Sequence, residues 1–138
     1  MNLLLSLRIG ALIPQYYQNS TLDLIRKEAK DLIIYDCDNH SDSIIISYAA
    51  DLLEKSAKAA IIIEMEQEQE VAFPLGQLRL LFTKLIQHTT KILVFTVGTH
   101  PAANHILQAL PATIQFHNLD NPKQVKQILS FLDRINEQ

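Results

Sequence analysis

The 138-residue sequence has one cysteine, three glycines and no tryptophan, and the first two scarcities each remove a class of function. The single cysteine, Cys37, excludes an intrachain disulfide, and without paired cysteines or an HExxH run the usual zinc spacings are missing. Gly10, Gly76 and Gly98 lie too far apart to make a P-loop or a GxGxxG turn, so the common phosphate-cradling backbones are missing as well. There is no basic excess: 12 Lys and Arg against 15 Asp and Glu leave a net charge of −3. Nucleic acid binding needs a concentrated basic surface, and the densest basic cluster, Arg26, Lys27 and Lys30, is broken by Glu28 and followed by Asp31. The N-terminal apolar stretch is interrupted by Arg8, lacks the flanks of a signal peptide and is too short to span a bilayer. These absences predict a cytoplasmic protein that acts on neither nucleic acid nor membrane and carries no cofactor.

What remains is apolar. Hydrophobic residues make up 48% of the chain and charged residues 20%, with a mean hydropathy of +0.07. The length is that of one domain, residues 1–138, large enough to bury a core without staples. A domain this small has little interior for such an excess. A face is therefore expected to meet a partner, either another protein or, most simply, a second copy in a homodimer.

Four short apolar runs, residues 32–35, 59–63, 91–97 and 113–116, are rich in Ile, Val and Phe and bounded by polar or turn residues. A fifth strand is expected within residues 3–13. Unbroken rather than alternating hydrophobicity implies burial on both faces, as in parallel central strands. Helical patterns lie between the runs. Ser41 or Asp42 can cap a helix reaching to about Ala57, whose apolar face would be Ile44, Ile45, Ile46, Ala49, Leu52 and Leu53. Asp51 with Lys55, and Glu54 with Lys58, stand at the i,i+4 spacing that supports a helix. Leu78, Leu81, Phe82 and Leu85 form a second stripe, and Pro101 opens a short third helix. Asn121 and Pro122 open the last helix, with Val125, Ile128, Leu129, Leu132 and Ile135 on one face, and a weaker helix is expected over residues 21–30. Strands alternating with helices pair in parallel through right-handed crossovers. The expectation is an α/β three-layer sandwich with a mainly parallel sheet of about five strands in flavodoxin-like order 2-1-3-4-5.

In such sheets ligands bind beyond the carboxyl ends of the strands. That rule singles out Asp36 and Asp38 after the second strand, Glu64 after the third, Thr96, Thr99 and His100 after the fourth, and His117 after the fifth. Two carboxylates one residue apart can share a magnesium ion, or Asp36 could act as a nucleophile in phosphoryl transfer. The competing reading is a polar loop that caps the next helix. Thr96 and Gly98 could hold an anion at a helix N-terminus, with simple capping by Thr99 as the alternative. His100 and His105 are five apart and do not share a helix face. Cys37, between two aspartates, is disfavoured as a thiolate. The run Glu64, Glu66, Glu68 and Glu70 reads as a solvated loop or as a docking surface for a basic partner.

The run IIYDCD resembles the opening motif of haloacid dehalogenase phosphatases, a strand followed by Asp-x-Asp. His40 stands where that family has threonine or valine, and no later acidic pair follows in the expected context. The five-fold βα layout also resembles a response-regulator receiver domain, with Glu64 at the phosphoacceptor position and Thr96 at the hydroxyl position. His117 replaces that family's lysine, and the first strand carries no acidic pair. From Ala59 onward the chain is somewhat similar to an anti-sigma-factor antagonist domain, with FPLG at the place of its serine-containing turn. These resemblances imply a degenerate receiver-like or antagonist-like protein. The expected function is a non-catalytic regulatory or protein-interaction module. The alternative is a small metal-dependent phosphate-handling enzyme using Asp36 and Asp38.

Overall fold

In a computed structural model, residues 2–10, 32–65, 75–88, 91–98, 100–110, 113–116, 127–128 and 130–131 are described. Their strands are β1 (Asn2–Ile9), β2 (Leu32–Asp38), β3 (Lys58–Met65), β4 (Ile92–Val97) and the four-residue β5 (Thr113–Phe116). Three helices, α1 (Ser43–Lys55), α2 (Leu78–Gln87) and α3 (Pro101–Leu107), follow β2, β3 and β4. Every strand pair is parallel. Strands β1 to β4 form the body of the sheet, β5 lies beside β4, and the order is β2-β1-β3-β4-β5. The chain is thus an α/β fold with an all-parallel sheet, consistent with a flavodoxin-like layout.

Strand alternation explains why the runs read as continuously apolar. Leu3, Leu5, Leu7 and Ile9 join Ala59, Ile61, Ile63 and Met65 in one core, while Leu4 joins Ala60, Ile62 and Phe95 in another on the opposite face. The first core is closed by Ile46, Ala49, Leu52 and Leu53 of α1, by Leu78, Leu81, Phe82 and Leu85 of α2, and by Ala103 and Leu107 of α3. The second receives Ile128, with Phe131 packed against it. The Lys58 ammonium lies 5.1 Å from the Phe131 ring centroid.

Helix ends follow from local chemistry. Asp42 caps α1 by accepting the Ile45 N–H at 3.0 Å. The helix stops at Lys55, two residues before the expected end, because Ser56 turns extended and its N–H closes on the Leu52 carbonyl. From across the sheet's amino edge, Lys91 Nζ donates to the carbonyls of Leu53 (2.6 Å), Ser56 (2.9 Å) and Glu54 (3.1 Å). A cation is thereby set at the negative end of the helix dipole.

Two details differ from the sequence reading. Only Ile46, Ala49, Leu52 and Leu53 of α1 are buried; Ile44 is 77% exposed and Ile45 38% exposed. Three consecutive isoleucines cannot share one stripe of a 3.6-residue helix, so two of them turn outward. Lys58 begins β3 instead of extending α1, so Glu54 bonds Lys84 of α2 at 2.8 Å in place of the expected i,i+4 partner. The expected helix over residues 21–30 lies outside the described residues. Of the last helix, 127–128 and 130–131 are described and are helical. Among the described residues, no helix is long and apolar enough to cross a membrane.

Candidate functional site

The chain leaves β1 for β2 on one side and returns to β3 on the other, which puts the topological switch point between β1 and β3. The carboxyl edge there is assembled from Gly10, the turn after β2, the end of β3, and Gly98 with His100 after β4.

The turn after β2 is tied inward. Asn39, 5% exposed, accepts the Gly10 N–H on its Oδ1 at 3.1 Å. Its own N–H donates to the Arg8 carbonyl at 3.1 Å. His40 Nε2 lies 2.8 Å from the Gly10 carbonyl, which fixes it as the donor and places the ring proton on that nitrogen. One short turn thus holds both backbone polar groups of Gly10 as the chain leaves β1. The turn is itself closed by Asp38, whose Oδ1 accepts the His40 N–H at 2.7 Å and the Ser41 hydroxyl at 3.3 Å. Ser41 Oγ in turn accepts the Asp38 N–H at 3.0 Å.

Two glycines let neighbouring loops close on this edge. Gly76 (φ 57°) sits where a Cβ would fall on the Asn39 carbonyl oxygen, and Gly98 (φ 82°) where one would fall on the Met65 carbonyl oxygen. Both need the left-handed region that L side chains rarely enter. The scarce glycines therefore serve close packing of the rim.

Asp36 and Asp38 are strand residues, not the start of a loop, and being two apart they share one face of the sheet. Asp36 is exposed, while Asp38 is half-buried and closes its turn. Parallel register sets Arg8 beside Asp38 on one side and beside Glu64 on the other, so a cation stands between two carboxylates across β2, β1 and β3. Neither Arg8 nor Glu64 is free. Sequence reasoning passed over Arg8, although a lone arginine near the carboxyl end of a buried strand was the available signal. It also passed over Asn39, for which no signal existed.

Thr96 is buried and pairs in register with Ile63 on the α1–α3 face, opposite the face that carries Asp36, Asp38 and Glu64. It is thereby separated from the carboxylates with which it was expected to hold a phosphate. His100, 3% exposed, caps α3 by accepting the Ala103 N–H on Nδ1 at 3.2 Å. Thr99 and His117 lie outside the described residues, as do Glu66, Glu68 and Glu70. Burial first, then the charges of Asp38 and Asp36, push the Cys37 thiol up to about 12. It does not supply a thiolate near neutral pH. Among the described residues, no three His, Cys, Asp or Glu side chains gather where they could hold a metal ion.

A second region was also missed. On the outer side of the sheet, Ile44, Ile45 and Tyr48 of α1 are exposed. The Tyr48 ring lies 5.1 Å from that of Tyr35 on β2, tilted by 58°. Tyr35 Oη donates to the Ile45 carbonyl at 3.3 Å, which fastens the edge strand to the helix. The Tyr35 phenol is raised above its ordinary value, first by burial and then by the charges of Cys37, Tyr48, Asp36 and Asp42.

No protein-family model matches this chain, and a search of curated proteins finds no significant relative.

Proposed function

We propose that this chain is a non-catalytic regulatory or protein-interaction α/β module, of a degenerate receiver-like kind. The fold is taken as a flavodoxin-like three-layer sandwich, with the core around Ile128 and Phe131 marking the second helical layer. One observation carries the functional reading. At the strand ends, where an enzyme of this class presents free acids, bases and hydroxyls, Asp38, Asn39, His40, Ser41 and His100 all bond to the chain's own backbone. Catalytic groups need to reach a substrate, and these five are engaged in shaping turns and helix ends. The exposed apolar residues Ile44, Ile45 and Tyr48 supply what an interaction module needs instead.

Asp36 supports the competing enzyme reading, because it is an exposed carboxylate at a strand end. Titration with magnesium, manganese and inorganic phosphate, followed by thermal unfolding, separates the two. A ligand that binds the native state raises the melting temperature progressively once its concentration exceeds Kd. The interaction module shows no rise with any of the three. A rise that vanishes in Asp36→Asn replaces it with the metal-dependent enzyme.

A further inference from the structure

We infer that the outer edge of β2, with α1 beside it, receives a strand from a partner protein whose side chains alternate between apolar and basic. This rests on the interaction-module reading and specifies its partner.

β2 ends the sheet order and, among the described residues, pairs with β1 alone. Natural edge strands are blunted by proline, charged side chains, bulges or brevity. The seven residues of β2, LIIYDCD, include no proline, glycine or lysine, and their two charges, Asp36 and Asp38, are both negative, which turns away an acidic strand and admits a basic one. Their outer row of N–H and C=O groups is a template for one more strand.

Side-chain alternation dictates what that strand must carry. Ile33, Tyr35 and Cys37 face α1, where the Tyr35 ring meets that of Tyr48 and Ile44 and Ile45 are exposed. An incoming residue on this side extends an apolar surface and is itself apolar. Ile34 and Asp36 face the opposite way, and Asp36 is exposed. A residue set beside Asp36 is most stable as lysine or arginine. The surrounding charge has the same sign: Asp36, Asp42 and Asp51 are all exposed, and the first basic residue of α1 is Lys55 at its far end.

Charge also decides against a second copy. Two β2 strands paired antiparallel about Tyr35 would put Asp36 opposite Ile34 and Asp38 opposite Leu32. Asp36 would then enter the interface facing an isoleucine in place of a cation, which is costly.

The experiment uses capped peptides of about nine residues, enough to span a strand. One alternates valine with lysine and the other valine with glutamate, and each is titrated into the full chain by fluorescence anisotropy. The lysine peptide is expected to bind, to weaken with added salt, and to slow amide hydrogen exchange along β2. Asp36→Asn should weaken it by about three-fold, the scale of one cross-strand charge pair. No binding of the lysine peptide, equal binding of the glutamate peptide, or binding without new protection in β2 overturns the proposal. So does a concentration-dependent dimer in light scattering that Asp36→Asn strengthens, since the occupant is then a second copy. Any of these, with melting temperature still indifferent to metal and phosphate, removes the basic strand and leaves the interaction module standing.

Discussion

The carboxyl rim of the sheet and the outer side of β2 and α1 share the same turn, residues 39–42, yet they treat polar and apolar groups in opposite ways. At the rim, Asn39 and His100 are buried with hydrogen-bond partners, Asp38 and His40 bond across the turn, and two glycines let carbonyls pass at close range. On the outer side, isoleucine and tyrosine stand in solvent, and Asp36 is exposed on the opposite face of the same edge strand. Burying a polar group without a partner is costly, and so is leaving large apolar groups wet. The rim has settled its cost within the chain, while the outer side has not. The difference teaches where a partner has something to gain.

The contrast is broken most forcefully at Gly98. Substitution by alanine forces a left-handed L-residue, worth roughly 1–2 kcal/mol, and drives its Cβ onto the Met65 carbonyl. The expected loss is upwards of about 2 kcal/mol by denaturant titration. A wild-type-like midpoint would show that the rim has slack and weaken the case that it is closed by design. Asn39→Ala is next. It removes the acceptor of the Gly10 N–H in a buried place, so about 1–3 kcal/mol should be lost. Asn39→Asp, which keeps an acceptor oxygen, should recover part of that loss in the same measurement.

How much of this could be read from the sequence depends on whether the cause was local. The strands were legible because burial on both faces leaves an unbroken apolar signature, and residues 59–63 needed little more. The stripe Leu78, Leu81, Phe82 and Leu85 was legible because 3.6-residue periodicity is local, and all four are buried. A cap at Ser41 or Asp42 was legible for the same reason, and Asp42 is the one that accepts the Ile45 N–H. The isoleucines at 44–46 were misread since hydrophobicity alone does not say which residue of a consecutive run faces inward. Lys91 reaching the end of α1 and Asn39 reaching Gly10 were not legible, because both contacts exist only once strands distant in sequence lie side by side. At the candidate site, the competing reading of Asp36–Asp42 as a turn that caps a helix holds for Asp38 and Asp42. Asp36, exposed on the strand, stands outside it.

A weaker test of the same contrast is the ion pair of Glu54 and Lys84, which joins α1 to α2 at the surface. The hydrogen bond and charge of Lys84 hold the Glu54 carboxyl below its ordinary value. A carboxyl depressed by folding stabilises the native state above its unfolded pKa, and that contribution fades as pH falls through the lower, folded one. Glu54→Gln should therefore flatten the acid limb of a plot of melting temperature against pH by a small amount, while salt removes most of the difference at neutral pH. A Glu54→Gln variant whose acid limb overlays the wild type would mean that the pair contributes nothing to holding the two helices together.

The smallest expected effect on stability is the most informative. Ile44→Ser with Tyr48→Ser replaces two side chains that are 77% and 55% exposed. Surface positions of this kind change stability by within about 0.5 kcal/mol. If the outer side exists for a partner, the double variant keeps its denaturation midpoint yet loses affinity for the valine–lysine peptide, because the apolar wall beside the incoming strand is gone. If instead these residues brace β2 through the Tyr35–Tyr48 contact, the midpoint falls along with the affinity. Measuring both quantities on one protein therefore decides whether the outer side differs from the rim in purpose or merely in depth. An unchanged midpoint with lost binding is the expected outcome, since the Tyr35 hydroxyl still reaches the Ile45 carbonyl, a backbone group that neither serine alters.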